Sequence, residues 1–405
     1  MITGLVVFED AHWRKLRPLT DTLPVPALAF GDSTLIRRQI RAAGLPLVAV
    51  EARAEVIAAW CARPAAATVD TGAETEAIAL NAAVLPGAWL SAIRATTGAC
   101  AWYAGDRLAA ARLPCSQILP LLGSGAEFAA RLAALDLPRR NLEARVIEYP
   151  WHLIEWNTEA LVSDLGKSGG NSGDVHPSAI LLSPGRIQIA AGARIDPLAV
   201  LDARSGPISI GARAVIHSHT LVVGPCAVGE GTQLLGGVIG GSTIGPECRL
   251  AGEIEASIWQ GYSNKRHHGF VGHSVIGEWV NLGALTTTSD LKNNYGPVRV
   301  WVDGEERDSG NSKVGSVIGS HVKTGIGTLL PTGASVGVAA NLFGGGRFVP
   351  KRVDAFAWWD GENMMVHDFD RFLASARIAM GRRGRELSVA DERVFRVLTP
   401  LAPPP

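Results

Sequence analysis

The sequence predicts an N-terminal α/β domain of Rossmann-like type, followed by a left-handed parallel β-helix with C-terminal helices. Three observations carry this prediction. Short apolar runs alternate with Ala- and Leu-rich stretches over residues 1–164, aliphatic residues recur at every sixth position over residues 175–350, and a Gly/Ser-rich stretch separates the two. The chain of 405 residues is also longer than one hydrophobic core usually serves, so at least two domains are expected.

The expected domain boundaries follow the changes in composition. The α/β domain is assigned to residues 1–164, and residues 165–174 are predicted to be a flexible linker, since GKSGGNSGD contains no apolar residue. The β-helix is assigned to residues 175–350 and a helical tail to residues 351–405. Two helices are expected in the tail, where they would cap the open end of the solenoid.

Within the first domain the apolar pattern predicts alternating strands and helices. The predicted strands are Ile2–Phe8, Leu47–Val50 and Glu76–Leu80, and the predicted helices are Leu35–Ala43, Glu55–Cys61, Trp89–Ala95 and an amphipathic helix at Tyr149–Leu165. This alternation favours a mainly parallel sheet.

The six-residue repeat predicts the β-helix. Aliphatic residues recur at positions 210, 216, 222, 228 and 234 with small residues behind them, so each hexapeptide would form one flat face and three faces one coil. A prism of this triangular section is left-handed, an exception to the usual crossover rule. The repeat breaks between Leu285 and Lys313, where an Asp-Gly pair predicts a hairpin that either reaches a binding site or is a simple excursion.

Composition excludes several classes of function. Lys and Arg together number 38 and so do Asp and Glu, without a basic block, so a nucleic-acid partner is not expected. The five cysteines show no zinc-like spacing and are expected to be buried thiols in a reducing compartment, the cytoplasm. Neither a signal peptide nor a membrane span is predicted.

One polar segment stands inside the repeat, GYSNKRHHGFVGHSVIGEWVNLG at residues 261–283, which indicates a site on a rigid scaffold. His267 and His268 are adjacent, so in extended backbone their rings point to opposite faces. A metal is not expected there, because no carboxylate or thiol ligand set accompanies the pair. His273 is expected to be a surface residue at a turn.

This segment, together with LKNNYG and MGRRGRELS, resembles the bifunctional UDP-N-acetylglucosamine pyrophosphorylase/glucosamine-1-phosphate N-acetyltransferase family, in its divergent bacterial branch. In the first domain, RPLTDTLPVPAL resembles the end of the family's opening motif, PLTxxxPKPL. The resemblance implies a nucleotidyltransferase-type first domain and a trimeric acyltransferase β-helix that uses acetyl-CoA.

The resemblance assigns roles to individual residues. His267 falls on the catalytic histidine, and an imidazole suits removal of a proton from an amino sugar near neutral pH. Ala284 falls on a backbone position that contacts acetyl-CoA. The implied substrate contacts are Glu253, Asn264, Lys265, Asn281, Asn294 and Tyr295, with Lys265 expected to neutralise a sugar phosphate. Glu255 stands where the better-known branch has a phosphate-binding lysine, and Phe270 where it has a tyrosine.

In the first domain the family's glycine-rich turn is replaced by residues 8–13, and Val25 stands in place of a phosphate-contacting lysine. Arg14 and Arg17 are the candidates for nucleotide phosphate contact. Asn157 is the candidate for a Mg²⁺ ligand, and Asn81 lies near the position of the family's metal-binding aspartate.

Three functions are therefore considered. In the first, the β-helix acetylates an amino sugar phosphate, expected to be glucosamine 1-phosphate, with acetyl-CoA, and the first domain joins the product to UTP with Mg²⁺. In the second, only the acyltransferase is active and the first domain is a degenerate binding module. In the third, the chain is a non-catalytic homotrimeric scaffold.

Overall fold

The computed structural model describes residues 2–61, 75–166 and 169–400. It confirms the predicted fold class, an N-terminal α/β domain, then a left-handed parallel β-helix, then C-terminal helices. The proposed boundaries need changes at the linker and the tail, which are given below.

The N-terminal domain is built on one mixed sheet. Its strands are β1 (Ile2–Phe8), β2 (Ala29–Phe30), β3 (Ser33–Thr34), β4 (Leu47–Glu51), β5 (Glu76–Asn81), β6 (Cys100–Ala104), β7 (Arg107–Pro114) and β8 (Arg139–Asn141). Its helices are α1 (Leu35–Ala43), α2 (Ala54–Cys61), α3 (Trp89–Ala95), α4 (Cys115–Ile118), α5 (Phe128–Ala133) and α6 (Pro150–Leu165). In the described part of the domain the strand order is β4-β1-β5-β7-β6-β8, with β2 and β3 forming a separate hairpin.

The predicted strands and helices of this domain are present, but the sheet is less parallel than expected. β1 pairs in parallel with β4 and β5, whereas β7 runs antiparallel to both β5 and β6. β6 and β7 form a hairpin whose turn contains Gly105, with φ 62°. The sequence analysis did not identify this hairpin, because its apolar runs do not alternate as those of a half-buried strand do.

The β-helix contains many short strands. In chain order they are β9 (Gly170–Asn171), β10 (Asp174–Val175), β11 (Ile180–Leu182), β12 (Ile187–Ile189), β13 (Arg194–Ile195), β14 (Val200–Asp202), β15 (Ile208–Ile210), β16 (Val215–Ile216), β17 (Thr220–Val223), β18 (Cys226–Val228), β19 (Gln233–Gly240), β20 (Thr243–Ile244), β21 (Arg249–Glu255), β22 (Ile258–Trp259), β23 (Asn264–Lys265), β24 (Phe270–Gly272), β25 (Val275–Ile276), β26 (Thr287–Thr288), β27 (Arg299–Val302), β28 (Glu305–Asp308), β29 (Val317–Ile318), β30 (Lys323–Thr324), β31 (Leu329–Leu330), β32 (Ser335–Val336), β33 (Asn341–Leu342), β34 (Arg352–Val353), β35 (Ala357–Trp359) and β36 (Met364–Val366).

These strands stack into three parallel faces. Face A contains β9, β12, β15, β18, β20, β22, β25, β29, β32 and β34. Face B contains β10, β13, β16, β23, β30, β33 and β35, and face C contains β11, β14, β17, β24, β26 and β31. β19 and β21 run from face B around the corner onto face C. We call this turn the B/C corner, and name the C/A and A/B corners in the same way.

The six-residue repeat corresponds to side chains that point into the prism. On face B, Ile216, Leu234 and Leu250 lie in register on successive coils, and all three are fully buried. Ile276, Ile318 and Val336 do the same on face A. The repeat was therefore read correctly, because one residue in six must fill the apolar interior.

The excursion between β26 and β29 joins the two domains. β27 and β28 form the predicted hairpin, with positive φ at both Asp303 and Gly304. Val300 and Val302 are buried in the same apolar cluster as Leu16 of the N-terminal domain. The hairpin is thus a packing element rather than a loop that reaches a binding site.

The two ends of the β-helix differ from the expected boundaries. β9 and β10 lie within the predicted linker and pair with β12 and β13, so the solenoid begins at Gly170. The predicted helical tail first contains three strands, β34 to β36. Helices α7 (Phe369–Gly381) and α8 (Val389–Leu398) follow.

Helices α7 and α8 pack against a side of the prism instead of covering its open end. Phe372 and Phe395 bury their rings against Phe356 and Ala339 at the A/B corner. α8 also contacts α2 of the N-terminal domain through Val394. Aromatic residues at this corner offer the helices an apolar surface, which explains the difference.

Two expectations from composition can be compared with the described residues. Among them, no helix combines the length and the apolar character needed to cross a bilayer. Cys100, Cys115, Cys226 and Cys248 are buried free thiols, as expected. Burial raises the pKa of both Cys226 and Cys248 to about 12.

Candidate active site

The polar segment forms the B/C corner of one coil. The chain leaves face B after β23, turns through Arg266 to Gly269 and enters face C as β24. The amide of Leu285 donates to His268 O at 2.9 Å from the next coil, and the amide of Glu253 donates to Gly269 O at 3.1 Å. The corner is therefore fixed from both sides.

Gly269 is required for this close stacking. Its φ is 128°, a conformation that other residues rarely adopt, and a Cβ there would lie 2.2 Å from Thr286 O of the next coil. A side chain at this position would push the coils apart next to His267.

His267 lies at the outside of this corner and is exposed. No residue in the described ranges hydrogen-bonds to its ring, so the imidazole is free to meet a ligand. On face B, Asn281 is exposed and lies in register with Asn264. On face C, Glu253 lies in register with Phe270. The predicted histidine thus lies between an amide and a carboxylate.

Ala284 lies on the corresponding corner of the next coil. Its carbonyl accepts a hydrogen bond from the Gly327 amide at 2.8 Å, whereas its own N–H meets no acceptor among the described residues. A backbone N–H near an imidazole is what a polarised carbonyl or oxyanion requires. The structure therefore places Ala284 and His267 at the same corner of successive coils, and the contact of Ala284 with acetyl-CoA stays a prediction.

The prediction for Lys265 is wrong. This side chain is fully buried inside the prism, in register with Leu250. Its Nζ donates to His267 O at 2.8 Å and to Ala251 O at 3.3 Å. Burial lowers its pKa to about 8. A lysine whose ammonium lies in the interior cannot contact a phosphate on the outer surface; it holds the backbone that carries His267.

Asn264 is half-buried and is engaged by the C-terminal segment. Its Oδ1 accepts a hydrogen bond from Arg383 Nη2 at 2.9 Å, while Arg385 Nη2 donates to Tyr262 Oη at 3.0 Å. The MGRRGRELS and GYSNK motifs therefore contact each other directly. Asn264 has a structural contact that competes with its predicted role in substrate binding.

Asn294 and Tyr295 lie in the segment that follows β26. Asn294 Oδ1 accepts a hydrogen bond from the Gly296 amide at 3.1 Å, which closes a local turn. Tyr295 is 74% exposed. Within the described residues no hydrogen bond joins either side chain to His267, and their contact with a substrate stays a prediction.

The sequence analysis missed a second cluster on face C. His273 was expected to be a surface residue, but its Nδ1 lies 2.7 Å from Asp290 Oδ2, and Glu255 completes a group of possible metal ligands. These residues are separated by 18 and 17 positions, the length of one coil in this region. Aligning the sequence at that period would have revealed the cluster.

In the N-terminal domain a 3₁₀ helix at Ala11–Leu16 occupies the place of the glycine-rich turn. Asp10 caps it by accepting a hydrogen bond from the His12 amide at 3.0 Å. Arg14 is exposed there, while Arg17 Nε donates to Asp21 Oδ1 at 2.6 Å. Only Arg14 keeps its charge available for a phosphate.

Asn157, the predicted metal ligand, has a different role. It is buried, and its Oδ1 accepts hydrogen bonds from the Gly31 amide at 2.9 Å and from Thr243 Oγ1 of the β-helix at 3.1 Å. Its only oxygen ligand is thus occupied by two donors. The prediction is wrong because this helix packs against the β-helix rather than facing a cleft.

Comparisons with known proteins give partial matches. Residues 5–168 match the family described as sugar nucleotidyl transferase. A bifunctional sugar-1-phosphate nucleotidylyltransferase/acetyltransferase of Sulfurisphaera tokodaii is 38% identical over 93 residues, which are 23% of each chain. A bifunctional protein GlmU of Corynebacterium aurimucosum is 31% identical over 172 residues, 41% of this chain and 30% of that relative.

The chain therefore spans between about a fifth and a third of the length of the curated relatives it matches. Among solved structures, LpxA from Acinetobacter baumannii aligns with 52% of this chain and 78% of its own, at 17% identity and a TM-score of 0.27.

The N-terminal domain has its charges paired at the carboxyl edge of the sheet. Arg107 contacts Asp10 through both Nε and Nη2, at 2.5 and 2.8 Å, and Asn81 Nδ2 donates to the same carboxylate at 2.7 Å. Although burial raises the pKa of Asp10, Arg107 and Asn81 lower it below its ordinary value.

A second ion pair, between Arg53 and Glu9, follows the pair of Arg107 with Asp10. Arg53 Nε donates to the buried Glu9 at 2.8 Å, and its guanidinium stacks over Trp13 at 3.6 Å. Asn81 is engaged through both its Oδ1 and its Nδ2, and Asn157 Oδ1 accepts from the Gly31 amide. Because their oxygens are occupied and lie in different contacts, the proposed residues do not fit a Mg²⁺ site.

Proposed function

We propose that the β-helix acetylates the amine of an amino sugar phosphate, with glucosamine 1-phosphate the expected substrate and acetyl-CoA the acyl donor. The observation that carries the proposal is the exposed His267 ring at a rigid corner, next to the Ala284 corner and between Asn281 and Glu253. The resemblance of the chain to bifunctional nucleotidylyltransferase/acetyltransferases supports it.

The chemistry assigns one task to each group. The sugar amine reacts as neutral –NH2, and His267 takes one N–H proton from it as the nitrogen attacks. The nitrogen attacks the thioester carbonyl of acetyl-CoA, and the Ala284 N–H donates to the oxygen as negative charge develops there. The carbon–sulfur bond then breaks, and the thiolate of CoA takes the proton back from the imidazolium. Asn281 and Glu253 orient the sugar hydroxyls.

Uridylyl transfer from UTP in the N-terminal domain is the second activity considered. The family match of residues 5–168 supports it. The paired charges of Asp10 with Arg107 and of Glu9 with Arg53 favour the alternative, a domain that binds or docks without catalysis. No step is assigned to this domain.

Assembly as a homotrimer with the sites between prisms is also part of the proposal. Leu285 and Ile326 lie at the B/C corner next to Ala284, and Phe348 lies on face C in register with Leu329; the three side chains are 57, 72 and 66% exposed. Exposed apolar side chains on one region of a surface commonly mark a protein interface. A cytoplasmic location remains the expectation from composition.

The test supplies purified protein with acetyl-CoA and glucosamine 1-phosphate and follows the release of CoA with a thiol reagent. UTP and Mg²⁺ are then added, and release of pyrophosphate is followed. CoA without pyrophosphate selects the acyltransferase with a non-catalytic first domain. If neither product is formed while the protein is a trimer in solution, the scaffold alternative replaces the proposal.

A further inference from the structure

A group of three possible metal ligands converges at the C/A corner of face C. Glu255 ends β21, His273 follows β24 and Asp290 follows β26, so three successive coils each contribute one side chain. One ligand atom from each lies within 4.8 Å of the other two. An imidazole nitrogen and two carboxylate oxygens form a donor set that suits Mn²⁺ or Zn²⁺.

The backbone is arranged to let these groups meet. Gly272 lies in register with Glu255 between the two carboxylates, and a Cβ at this position would lie 2.5 Å from Asp290 Oδ2. The missing side chain leaves room for the Asp290 carboxylate and for the Phe270 ring, whose Cζ would lie 2.3 Å from that Cβ. His273 also has a φ of 44°, which turns its side chain at the corner.

The charges in the group are only partly balanced. Lys313 Nζ lies 3.5 Å from Glu255 Oε1, a long contact between two side chains that are each about half exposed. A divalent cation could replace the Lys313 ammonium at Glu255.

We propose that Glu255, His273 and Asp290 bind a divalent cation on the outer face of the β-helix. Glu255 is exposed, so the cation would keep open positions for a further ligand. β24, of three residues, separates this corner from the His267 corner, a span of roughly 10 Å at the usual rise of a strand.

The proposed function gives the cation a role, and this part of the inference rests on it. A phosphate on the substrate carries about −1.5 to −2 charges at neutral pH, and face C presents it with Glu253 and Glu255. Without a cation these carboxylates repel the phosphate. A bound divalent cation reverses the local charge and can accept phosphate oxygens in its open positions.

The first experiment measures binding of Mn²⁺ alone to the full chain by isothermal titration, after treatment with EDTA and gel filtration. One equivalent is expected to bind, with affinity at least 10-fold lower in Glu255→Gln and in Asp290→Asn. Glu255 is at the surface, so its variant tests the site even if Asp290→Asn fails to fold. Zn²⁺ is titrated in the same way.

The chain provides a matched control. Asp196 and His217 form a similar pair at 3.2 Å, which belongs to no group of three possible ligands among the described residues. Asp196→Asn should leave Mn²⁺ binding unchanged. Absence of binding of both metals at millimolar concentration, or equal binding by wild type and both cluster variants, would overturn the proposal and leave an ion-paired cluster only.

The second experiment compares KM for glucosamine 1-phosphate and for glucosamine with and without Mn²⁺. Mn²⁺ is expected to lower KM for glucosamine 1-phosphate and to leave KM for glucosamine unchanged. In Glu255→Gln this effect of Mn²⁺ should disappear. If the metal binds but changes KM for neither sugar, the proposed contact between the cation and the substrate phosphate is wrong, while the proposed metal site still holds. If CoA is never released, the proposed function fails independently of the metal titration.

Discussion

Replacing the interior Lys265 by Met tests how the His267 corner is held. Methionine has a similar length and is apolar, so Lys265→Met removes the buried charge with little change in volume. Burial lowers the pKa of this lysine from 10.5 to about 8. At about 1.4 kcal/mol for a tenfold change, burial of the protonated form costs about 3–3.5 kcal/mol below pH 8.

Methionine also loses the two hydrogen bonds to His267 O and Ala251 O, at about 1 kcal/mol each. At pH 7 the variant should therefore be more stable than the wild type by about 1 kcal/mol. Because the pKa is lower in the folded than in the unfolded protein, wild-type stability rises as the pH increases from 8 towards 10.5. By pH 10 the variant should be the less stable protein, a change of about 2 kcal/mol.

Urea unfolding of both proteins at pH 7, 8, 9 and 10, followed by circular dichroism, measures this difference. Lys292→Met is the surface control, with a change of about 0.5 kcal/mol or less at every pH. A difference that stays constant from pH 7 to 10 would refute the reasoning. So would a loss of several kcal/mol in Lys265→Met at pH 7, since it would mean that the ammonium stabilises the interior.

Three further predictions concern the scaffold. Asn157→Ala should cost about 1–3 kcal/mol in urea unfolding because the Gly31 amide loses its acceptor, while the Thr243 hydroxyl keeps Gly31 O at 2.6 Å. Asn294→Ala at the surface should change stability by less than about 0.5 kcal/mol, and equal effects of the two substitutions would argue against the buried role of Asn157. Because Ser388 caps α8, Ser388→Ala should lower the free energy of unfolding by about 1 kcal/mol. Amide hydrogen exchange should become faster in α8 and in α2, against which α8 packs, and unchanged exchange in α8 would contradict the capping role. Burial raises the pKa of both Cys226 and Cys248 to about 12, so these thiols should react with iodoacetamide at pH 8 only after denaturation. Peptide mapping measures the labelling, and labelling of either cysteine in the native protein would show that the prism opens.

The sequence was most informative where one side chain in each repeat must fill the interior. The register of Ile216 with Leu234 follows from a period of six, and the position of His267 on the surface follows from its place between the inward-facing Lys265 and Val271. The same period also shows why Lys265 was misplaced. The charge of this lysine predicts a surface position, whereas the repeat assigns it to the interior.

Contacts between distant segments could not be predicted from local patterns. The cluster of Glu255, His273 and Asp290 exists only because coils stack at intervals of 17 and 18 residues. Asn157 was assigned by resemblance, but its partner Thr243 belongs to the other domain. Packing of the hairpin residue Val300 against the N-terminal domain likewise depends on how the two domains meet, which local periodicity does not encode.

The central claim is that His267, and not its neighbour, is the base for acetyl transfer. The most direct measurement is the initial rate of CoA release from acetyl-CoA and glucosamine 1-phosphate by His267→Ala and by His268→Ala, both exposed at the same corner. The account predicts a loss of about 10²–10⁴-fold for His267→Ala and a change of no more than a few-fold for His268→Ala, with the oligomeric state of both unchanged. Equal rates in the two variants, or full turnover without the His267 ring, would contradict it.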